Sequence, residues 1–510
     1  MKKLDFTLRE NEYFYGGATH AGRRMPIGRE DDFSIDLSRE GYGNQSAPFF
    51  LSTAGRYLWS DRPFSVTFRH GEVHAEGEGD ILLVTAGTNL ADAYRDACRK
   101  HFPPTGEIPE EKFYVSPQYN TWVELLYDHN QDSVLSYAKN MLATGFRPGI
   151  LMIDDTWQED YGVWRFHPAR FRDPKGMVRE LHDLGFTVML WVVPYLSPDS
   201  PEFREAEADP ERLLRDRDGN PILIRWWNGY SACLDLRRPK DAAWLDRVLG
   251  DLMRDFGIDG FKFDGGSVDY YRNCKNLPAD PTELTEAWFS YAARYRFNET
   301  KDTYNASSLA LNQRLRDKAH TWDGTDGLNI LVPDAINASL IGTKFLCPDM
   351  VGGGEWTAFL PGVPLDEELI VRSAECSALF PMMQFSVAPY RILSKENLSR
   401  VLAMADLHAK MGARIFEMVK HSAKSGDPVM APLAFRDPDG GFERTTDAFF
   451  LGEDIVVYPV LTKGAVTRTL TLPAGKWRFT DGTLHEGRET VTVPAPLGAL
   501  PYFERVKETD

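Results

Sequence analysis

The sequence predicts an α/β protein in which a (β/α)8 TIM barrel is flanked by an N-terminal β-sandwich and a C-terminal β-sandwich. Two observations predict this fold class. The middle of the chain alternates apolar strands with amphipathic helices, whereas both ends consist of short alternating segments separated by Gly, Pro and Asp turns. A doubly wound sheet is the alternative for the middle part, but no GxGxxG follows its first strand.

Residues 1–110 have the pattern of a β-sandwich. The segments FSIDL, APFFLS, FSVTFRHGEVHAEG and DILLVTAG are short, alternate in polarity and are separated by turns. A predicted helix, NLADAYRDACRKHF, follows them. The Pro-rich stretch PPTGEIPEE then predicts the first domain boundary.

Residues 111–425 alternate strands with helices, which predicts the barrel. The predicted strands include FYVSPQYNTW, PGILMIDDTW, FTVMLWVVPY, IDGFKFDGG, TKFLCPDM and PMMQFSV. The predicted helices begin with Pro or end with Gly, as in DPKGMVRELHDLG, PKDAAWLDRVLGDLMRDFG and KENLSRVLAMADLHAKMG. Residues 426–510 return to strands, such as DAFFLGEDIVVYPVL and VTRTLTLPAGKWRFTDG, and predict the C-terminal β-sandwich.

The composition restricts the classes of partner. A formal net charge of −17 without a basic stripe argues against nucleic acid as a partner. The opening MKKLDFTLRENEYF has no apolar segment after its lysines, and no run is long enough to cross a bilayer, so we expect a cytoplasmic protein without a membrane partner. The five cysteines show no CxxC spacing, which indicates reduced thiols and no zinc site.

Polar side chains follow several predicted strands at matching positions. The C-terminal ends of barrel strands meet at one mouth, so we expect these side chains to converge there. The aspartates concerned are Asp154, Asp155, Asp264 and Asp349, and the tryptophans near them are Trp157, Trp191 and Trp356. A single strand-end aspartate is more often the cap of the next helix. Carboxylates accept bonds from sugar hydroxyls and indoles stack on sugar rings, so the group predicts a carbohydrate site.

A metal site is the weaker interpretation. The histidines show no HxH or HxxxH pairing. Strand-end aspartates could hold Mg²⁺, but that would leave the tryptophans unexplained. We therefore expect neither a metal nor a cofactor.

Longer motifs resemble the retaining α-glycosidases of glycoside hydrolase family 31. They are YGVWRFHPARFRDPKGMVRELHDLGFTVMLWVVPYLSPDS, GIDGFKFDGG, GDPVMAPLAF, FLGEDIVVYPVLTKGAVTRTLTLPAGKW and APLGALPYF. The resemblance implies that Asp264 is the nucleophile and forms a covalent glycosyl-enzyme. Lys262 is then expected to contact a sugar hydroxyl or to keep Asp264 ionised, or alternatively to form a structural salt bridge. The two glycines after Asp264 are expected to let the backbone approach the sugar.

The resemblance also implies a second aspartate as the acid/base. The family has an aspartate five residues before a tryptophan, and Asp317 precedes Trp322 by five. Asp323 and Asp326 remain alternatives, because an insertion can be placed elsewhere, and Arg316 stands where the family has glycine. Asp317 could instead pair with a neighbouring cation. As the acid, its pKa is expected to be raised by burial and by the charge of the nucleophile.

The remaining substrate contacts are also implied by the resemblance. Asp154 and Asp155 are expected to bind the O4 and O6 hydroxyls, Asp349 to support the acid loop, and Arg314 to bridge a hydroxyl and a carboxylate. The tryptophans expected to bind substrate are Trp157, Trp191, Trp322 and Trp356.

The sequence favours one substrate sugar but leaves several alternatives open. QYNTWVELLYDHNQDSVLSYAKNMLATGF and CPDMVGGGEW resemble the branch of the family with bacterial α-galactosidases and the myogenesis-regulating glycosidase, which implies a terminal α-galactoside. α-Glucoside, α-xyloside and sulfoquinovoside remain open, as does transglycosylation. Because the acid loop departs from the family, a sugar-binding protein without catalysis is the alternative of another class. The expected partner is an oligosaccharide or glycoside substrate, and a homo-oligomer is a possible assembly.

Overall fold

The computed structural model describes residues 1–41, 43–272 and 274–507. An eight-stranded sheet lies at the centre, and further sheets lie before and after it along the chain. This confirms the predicted fold class, a (β/α)8 barrel with sheet-rich flanking domains. The boundaries at residues 110 and 425 stay predictions.

The central sheet consists of eight strands that we number β1 to β8 in chain order. They are Gln118–Asn120, Ile150–Ile153, Thr187–Val192, Gly260–Phe263, Phe297–Thr300, Gln313–Arg314, Leu346–Cys347 and Gln384–Phe385. The spatial order is β7-β6-β5-β4-β3-β2-β1-β8, and each pair of neighbours is parallel. The amide of Val351 donates to the carbonyl of Gln384 over 2.9 Å, which links the segment after β7 to β8. All eight C-terminal ends therefore face one mouth.

Seven long helices follow the barrel strands. They are Gln131–Thr144, Pro174–Asp183, Pro239–Phe256, Pro281–Ala292, Leu328–Leu340, Glu367–Ala378 and Lys395–Ser425. The other helices are Leu90–His101, Lys112–Val115, Trp122–Leu125, Pro201–Glu207, Val268–Tyr271, Pro389–Ile392 and Leu433–Arg436, with 3₁₀ turns at Thr19–Arg24 and Trp356–Phe359. Gly145 and Gly257 end their helices in the left-handed conformation, with φ of 110° and 81°, as the sequence predicts. Within the part of the chain described here, no helix combines the length and the apolar character needed to span a membrane.

Two sheets form the N-terminal part. One contains Lys2–Thr7, Phe33–Asp36, Phe64–Arg69 and Glu72–Gly77, and the other contains Phe14–Ala18, Gln45–Ser52, Arg56–Trp59 and Leu82–Thr85. The second sheet also takes in Thr303–Tyr304, which comes from the loop after β5 and pairs with Gln45–Ser52. The second N-terminal sheet is thereby joined to the mouth of the barrel.

The C-terminal part is again built from sheets. Six strands form one sheet: Met430–Pro432, Phe449–Leu451, Ile455–Val457, Lys476–Phe479, Leu484–Glu486 and Tyr502–Arg505. Thr467–Thr471 pairs with Thr490–Pro494 in a second. Insertions in the barrel add the hairpin Gln158–Asp160 with Val163–Phe166, and a sheet of Tyr195–Leu196, Leu223–Trp226 and Gly229–Cys233.

One predicted helix end is wrong. The sequence predicts that the last barrel helix ends at Gly412, but the helix continues to Ser425. A Cβ on Gly412 would lie 2.5 Å from the Cα of Val115. Glycine is present there because two backbones approach closely, and not because the helix stops.

Two barrel strands, β5 and β6, are missing from the sequence prediction. Their residues are FNET and QR, which lack the apolar run of a buried strand. Both strands are nevertheless almost fully buried, because their polar side chains pair with each other inside the barrel.

Candidate active site

A cavity of about 490 Å³ opens at the mouth of the barrel. Eight of the residues predicted from the sequence line it: Asp154, Asp155, Trp191, Lys262, Asp264, Arg314, Asp317 and Trp356. Five predicted residues do not: Trp157, Trp322, Asp323, Asp326 and Asp349. The convergence expected from the strand ends is thus found for most of the set.

Asp264 follows β4 and lies at the bottom of the cavity, with 6% of its surface exposed. Its Oδ2 accepts from the indole N–H of Trp191 over 3.1 Å, and its Oδ1 accepts from the amide of Gly265 over 2.9 Å. Burial alone would raise its pKa, but the ammonium groups of Lys301 and Lys262 outweigh burial and hold the pKa well below its usual range. Asp264 is therefore a carboxylate at every ordinary pH.

Lys262 lies in β4 and serves two carboxylates. Its Nζ is 2.7 Å from Oδ2 of Asp154 and 3.9 Å from Oδ2 of Asp264. The salt bridge and the electrostatic effect on Asp264, predicted as alternatives, therefore coexist. One ammonium group connects the carboxylate after β2 with the carboxylate after β4.

Lys301 lines the cavity although it was not predicted from the sequence. It follows β5, lines the cavity, and places its Nζ 3.5 Å from Oδ1 of Asp264. Burial favours its neutral amine, but Asp264 outweighs burial and raises the pKa of Lys301 above its ordinary value. A recognisable β5 would have marked Lys301 as a strand-end residue.

Asp154 and Asp155 follow β2 and line the cavity, but Asp155 is already saturated with donors. Its Oδ2 accepts from the Tyr161 hydroxyl over 3.1 Å and from the Asn228 amide over 3.0 Å, and its Oδ1 accepts from the Gln158 amide over 3.1 Å. Burial raises the pKa of Asp155 to about 6. Asp155 therefore organises the wall around it more than it offers a free acceptor to a sugar.

Trp157 does not reach the cavity, which corrects its prediction as a substrate contact. The residue is fully buried, and its indole N–H donates to the carbonyl of Trp191 over 2.8 Å. Its ring packs edge-on against Phe166 with centroids 4.9 Å apart. The chain turns directly after Asp155, so Trp157 points behind the wall and supports Trp191.

We expect Trp157→Ala to destabilise the fold. Removing a buried tryptophan costs about 3–5 kcal/mol, because a cavity remains and the carbonyl of Trp191 loses its donor. Scanning calorimetry should show a thermal midpoint several degrees lower. Trp227→Ala is the matched control, because Trp227 is 44% exposed, and its midpoint should change little. Equal midpoints for the two variants would contradict the supporting role of Trp157.

Asp317 reaches the cavity from the loop after β6, with 38% of its side chain exposed. Its Oδ1 accepts from Nη1 of Arg314 over 2.8 Å. A Cβ on Gly354 would lie 2.8 Å from the same oxygen, so the glycine leaves room for the carboxylate. Burial favours the neutral acid, but Lys301 and Arg314 outweigh burial and lower the pKa of Asp317. This lowering differs from the expected raised pKa, because two cations act on the Asp317 carboxylate.

Asp349 lies behind Arg314 and does not line the cavity. Nη1 of Arg314 donates to its Oδ1 over 2.7 Å, and the amide of Lys318 donates to its Oδ2 over 2.6 Å. Burial raises the pKa of Asp349 to about 6, against the effect of Arg314 and with the help of Asp317. Asp317 and Asp349 thus share one guanidinium, and Asp349 fixes the loop after β6 through the Lys318 amide.

A buried row of alternating charges underlies the cavity. Glu299 in β5 pairs in register with Lys262, and its Oε1 is 3.5 Å from Nε of Arg314. The row runs through Asp154, Lys262, Glu299, Arg314 and Asp349. Glu299 was not predicted from the sequence, because it lies in a strand that the pattern did not reveal.

The two alternative acid residues lie outside the cavity. Asp323 is exposed, and Asp326 lies 3.6 Å from both His20 and Arg316. The indole N–H of Trp322 donates to Asp366 over 2.9 Å, which corrects its prediction as a substrate contact. Of the three candidate acids, Asp317 is the one that shares a cavity with Asp264.

Glycine is required at the two positions after Asp264 for a different reason from the predicted one. Their φ angles are +66° and +67°. A Cβ on Gly265 would lie 2.9 Å from the Tyr195 ring, and one on Gly266 would lie 2.5 Å from the Trp288 ring. Neither glycine lines the cavity. They are required by a left-handed turn that packs against aromatic rings, and not by approach of the sugar.

No group of three or more His, Cys, Asp or Glu side chains within residues 1–41, 43–272 and 274–507 is arranged to hold a metal ion. The aspartates of the cavity are bonded to Lys and Arg side chains and to neutral donors instead. The arrangement offers an ionised carboxylate facing a second carboxyl group across a polar and aromatic cavity.

Comparisons with known proteins find family matches in two parts of the chain. Residues 117–392 match the description "Glycosyl hydrolases family 31 TIM-barrel domain", and residues 426–507 match "Glycosyl hydrolase family 31 C-terminal domain". The chain is 31% identical to the myogenesis-regulating glycosidase of Mus musculus over 483 residues, which cover 90% of this chain and 66% of that protein. It is 25% identical to a sulfoquinovosidase of Agrobacterium fabrum, with 97% of this chain and 81% of that protein covered.

A solved structure shows the same fold. It is a family 31 dextranase from Flavobacterium johnsoniae, with a TM-score of 0.84 and 19% identity over 99% of this chain and 66% of that one. The chain thus spans about two thirds of both the mouse protein and the dextranase.

Proposed function

Because the chain belongs to glycoside hydrolase family 31, we propose that it is a retaining α-glycosidase that removes a terminal α-linked sugar from an oligosaccharide or glycoside. The observation that carries the proposal is the pair of carboxyl groups in one cavity. Asp264 is held ionised by two lysines and an indole, and Asp317 reaches the same cavity from another loop. A nucleophile and an acid/base are the two groups that retention requires.

The proposed reaction has two displacements. Asp264 attacks the anomeric carbon while Asp317 gives its proton to the glycosidic oxygen, so the carbon–oxygen bond breaks and the aglycone leaves as an alcohol. Water then attacks the glycosyl-enzyme, gives a proton to Asp317 and releases Asp264. Lys262 and Lys301 stabilise the carboxylate as it leaves in this second step.

Within this class we propose a terminal α-galactoside as the substrate. The support is the resemblance of two segments, around Tyr119 and Asp349, to the branch with bacterial α-galactosidases. The 31% identity to the myogenesis-regulating glycosidase, against 25% to the sulfoquinovosidase, favours that branch. Cytoplasmic location and oligomeric state stay predictions from the sequence.

The test is a panel of aryl α-glycosides with galactose, glucose, xylose and sulfoquinovose. We expect kcat/KM for the galactoside to exceed the others by at least about tenfold, since one hydroxyl or ring substituent is worth that much in a fitted site. NMR should show the α-anomer as the first product. If a glycoside of another sugar is hydrolysed faster, that sugar replaces galactose as the proposed substrate. If the β-anomer is the first product, the double-displacement mechanism is wrong. Glycosyl transfer to added sugar in place of hydrolysis would indicate a transglycosylase.

A sugar-binding protein without catalysis is the second candidate. Arg316 beside the acid and the ion pair of Asp317 with Arg314 favour it, because a paired carboxylate is a poor proton donor. Turnover of none of the four glycosides, together with calorimetric binding of a sugar, would support this candidate.

A further inference from the structure

We propose that Gln45, in the N-terminal part of the chain, is a positioning residue of the active site, because its side chain sets the separation of the loops that carry Lys301 and Arg314. The inference rests on the proposed glycosidase function and adds to it a residue outside the cavity. Gln45 is 1% exposed and does not line the cavity. Its Nε2 donates to the carbonyl of Lys301 over 2.7 Å and to the carbonyl of Arg314 over 2.8 Å. One amide group therefore connects the backbones of two residues whose side chains act on Asp264 and Asp317.

The Gln45 bridge lies where the pairing of two barrel strands ends. The register of β5 with β6 has Thr300 opposite Gln313 and does not extend beyond this position. Lys301 and Arg314 are the next residues along the two segments, and their carbonyls are bridged by Nε2 of Gln45. The side chain thus supplies the link between the two loops at the point where the barrel sheet no longer does.

The backbone of Gln45 is fixed by a sheet. It begins the strand Gln45–Ser52, which pairs in parallel with Thr303–Tyr304 from the loop after β5. Oδ1 of Asn44, the preceding residue, accepts from the amide of Arg316 in the loop after β6 over 3.3 Å. The second N-terminal sheet therefore contacts both loops beside the Gln45 bridge, and a rigid sheet is a suitable base for a positioning side chain.

The side-chain oxygen of Gln45 indicates that the residue does more than fill space. Two carbonyl oxygens can accept only from the NH2 end of the amide, which fixes its orientation. The oxygen at the other end is buried and has no hydrogen-bond partner among the residues that the structure describes. A buried oxygen without a partner lowers stability, so methionine would be the more favourable residue if only the volume mattered. The amide is therefore present for its two donor hydrogens.

The two bridged residues influence the protonation of Asp317. The charged groups that act on Asp317 are the cations Lys301, Arg314 and Lys262 and the carboxylates Asp264 and Asp349. Burial favours the neutral acid, and the cations outweigh burial, so the pKa of Asp317 is lowered. Without the Gln45 bridge the loops after β5 and β6 can separate. Lys301 and Arg314 then lie further from Asp317, and its pKa rises.

The experiment compares Gln45→Met with Asn337→Leu in the full chain. Methionine has nearly the volume of glutamine but no donor. Asn337 is the matched control, because its buried amide also joins the N-terminal part to the barrel domain. Its Nδ2 donates to the carbonyls of Gly16 and Ala18 over 3.1 Å and 2.7 Å, and the residue does not line the cavity. Both substitutions should lower the thermal midpoint, so the midpoint alone does not distinguish a positioning role from a structural one.

The distinguishing measurement is the pH profile of kcat/KM on an α-linked disaccharide. For Gln45→Met we expect the plateau to fall by about tenfold, mainly through kcat, because the reacting groups are misplaced. The alkaline limb should move up by about half a pH unit or more, because Asp317 loses part of the effect of its cations. Asn337→Leu should keep the plateau and the limb of the wild type. Gln45→Asn keeps an amide that is one methylene too short to reach both carbonyls, so it should show the same changes even if Gln45→Met does not fold.

Two results would overturn the inference. One is a limb that does not move in the Gln45 variants, with kcat within about twofold of the wild type, which would leave Gln45 a structural residue. The other is an equal change in Asn337→Leu, because any loosening of the contact between domains would then suffice. If the wild type hydrolyses no glycoside, the proposed function fails separately. NMR of aspartate labelled with ¹³C at the carboxyl group then decides. Asp317→Asn identifies the resonance, and the pKa of Asp317 must be higher in Gln45→Asn than in the wild type.

Discussion

Asp264→Asn is expected to lower kcat by at least about 10⁴-fold on every glycoside that the protein hydrolyses. The amide cannot attack the anomeric carbon, and the double displacement loses its first step. Asparagine keeps the volume of the side chain, and Lys262 keeps its 2.7 Å pair with Asp154, so the barrel should remain folded. The measurements are steady-state kinetics and the thermal midpoint on the same preparations.

A glycine at position 264 allows a second test, in which an added anion replaces the missing carboxylate. In Asp264→Gly, azide can occupy the volume that the carboxylate leaves. It can then attack an aryl α-glycoside from the face of the sugar that the carboxylate would have attacked. We expect a β-glycosyl azide, identified by NMR. Asp323→Asn is the control, since this exposed aspartate lies outside the cavity and should leave activity unchanged. Normal turnover by Asp264→Asn would contradict the assignment.

Asp317→Asn is expected to have the second largest effect, a loss of about 10²–10⁴-fold in kcat/KM on an unactivated disaccharide. The leaving sugar needs a proton, whereas a dinitrophenolate leaves without one. The loss should therefore be much smaller on a dinitrophenyl glycoside. If Asp317→Asn hydrolyses the disaccharide normally while Asp323→Asn or Asp326→Asn does not, the acid/base role passes to the latter residue.

The pH dependence of kcat/KM should follow the same group. The acid must be protonated, so activity falls as pH rises through its titration. Lys301 and Arg314 lower the pKa of Asp317, and burial raises that of Asp349, on the other side of Arg314, to about 6. Both carboxyl groups contact Arg314 and influence each other, so the alkaline limb reports on the pair, and we expect it on the acid side of neutrality for a disaccharide. The limb should disappear in Asp317→Asn, and an alkaline limb near pH 9 in the wild type would contradict this reading.

The paired ions under the cavity explain how the site combines burial with charge. Lys262 and Arg314 each bridge two carboxylates, and Glu299 lies between them. An isolated charge at such depth would be strongly disfavoured, whereas alternating neighbours stabilise each ion. Asp317 is affected as well, because the cations Lys301 and Arg314 also favour the loss of its proton.

Much of the barrel can be predicted from the sequence, because its strands and helix ends have local sequence patterns. The apolar run LMI before Asp154 identifies β2, the segment FKF before Asp264 identifies β4, and Gly145 and Gly257 mark helix ends through their left-handed conformation. Since parallel strands of a barrel end at one mouth, strand position alone brings the carboxylates after β2 and β4 together.

Other features depend on packing between distant segments. Strands β5 and β6 are too short and polar to identify, so Lys301 and Glu299 were not predicted. Trp157 and Trp322 are tryptophans, a residue type that often contacts sugars. Their indole N–H groups donate instead to the carbonyl of Trp191 and to Asp366. No local pattern distinguishes them from Trp191, because the direction of a side chain in a loop is set by the elements that pack around it.

The sequence by itself determined the fold class, the position of Asp264 and the family, because strand periodicity and long motifs are written in consecutive residues. Only the tertiary structure decided which acid candidate shares the cavity with Asp264, which lysines hold that carboxylate ionised, and that Trp227 lines the cavity. These features depend on hydrogen bonds and charge interactions, which act over a few ångströms. The loops that make them are far apart in the sequence, so no local pattern reveals these contacts.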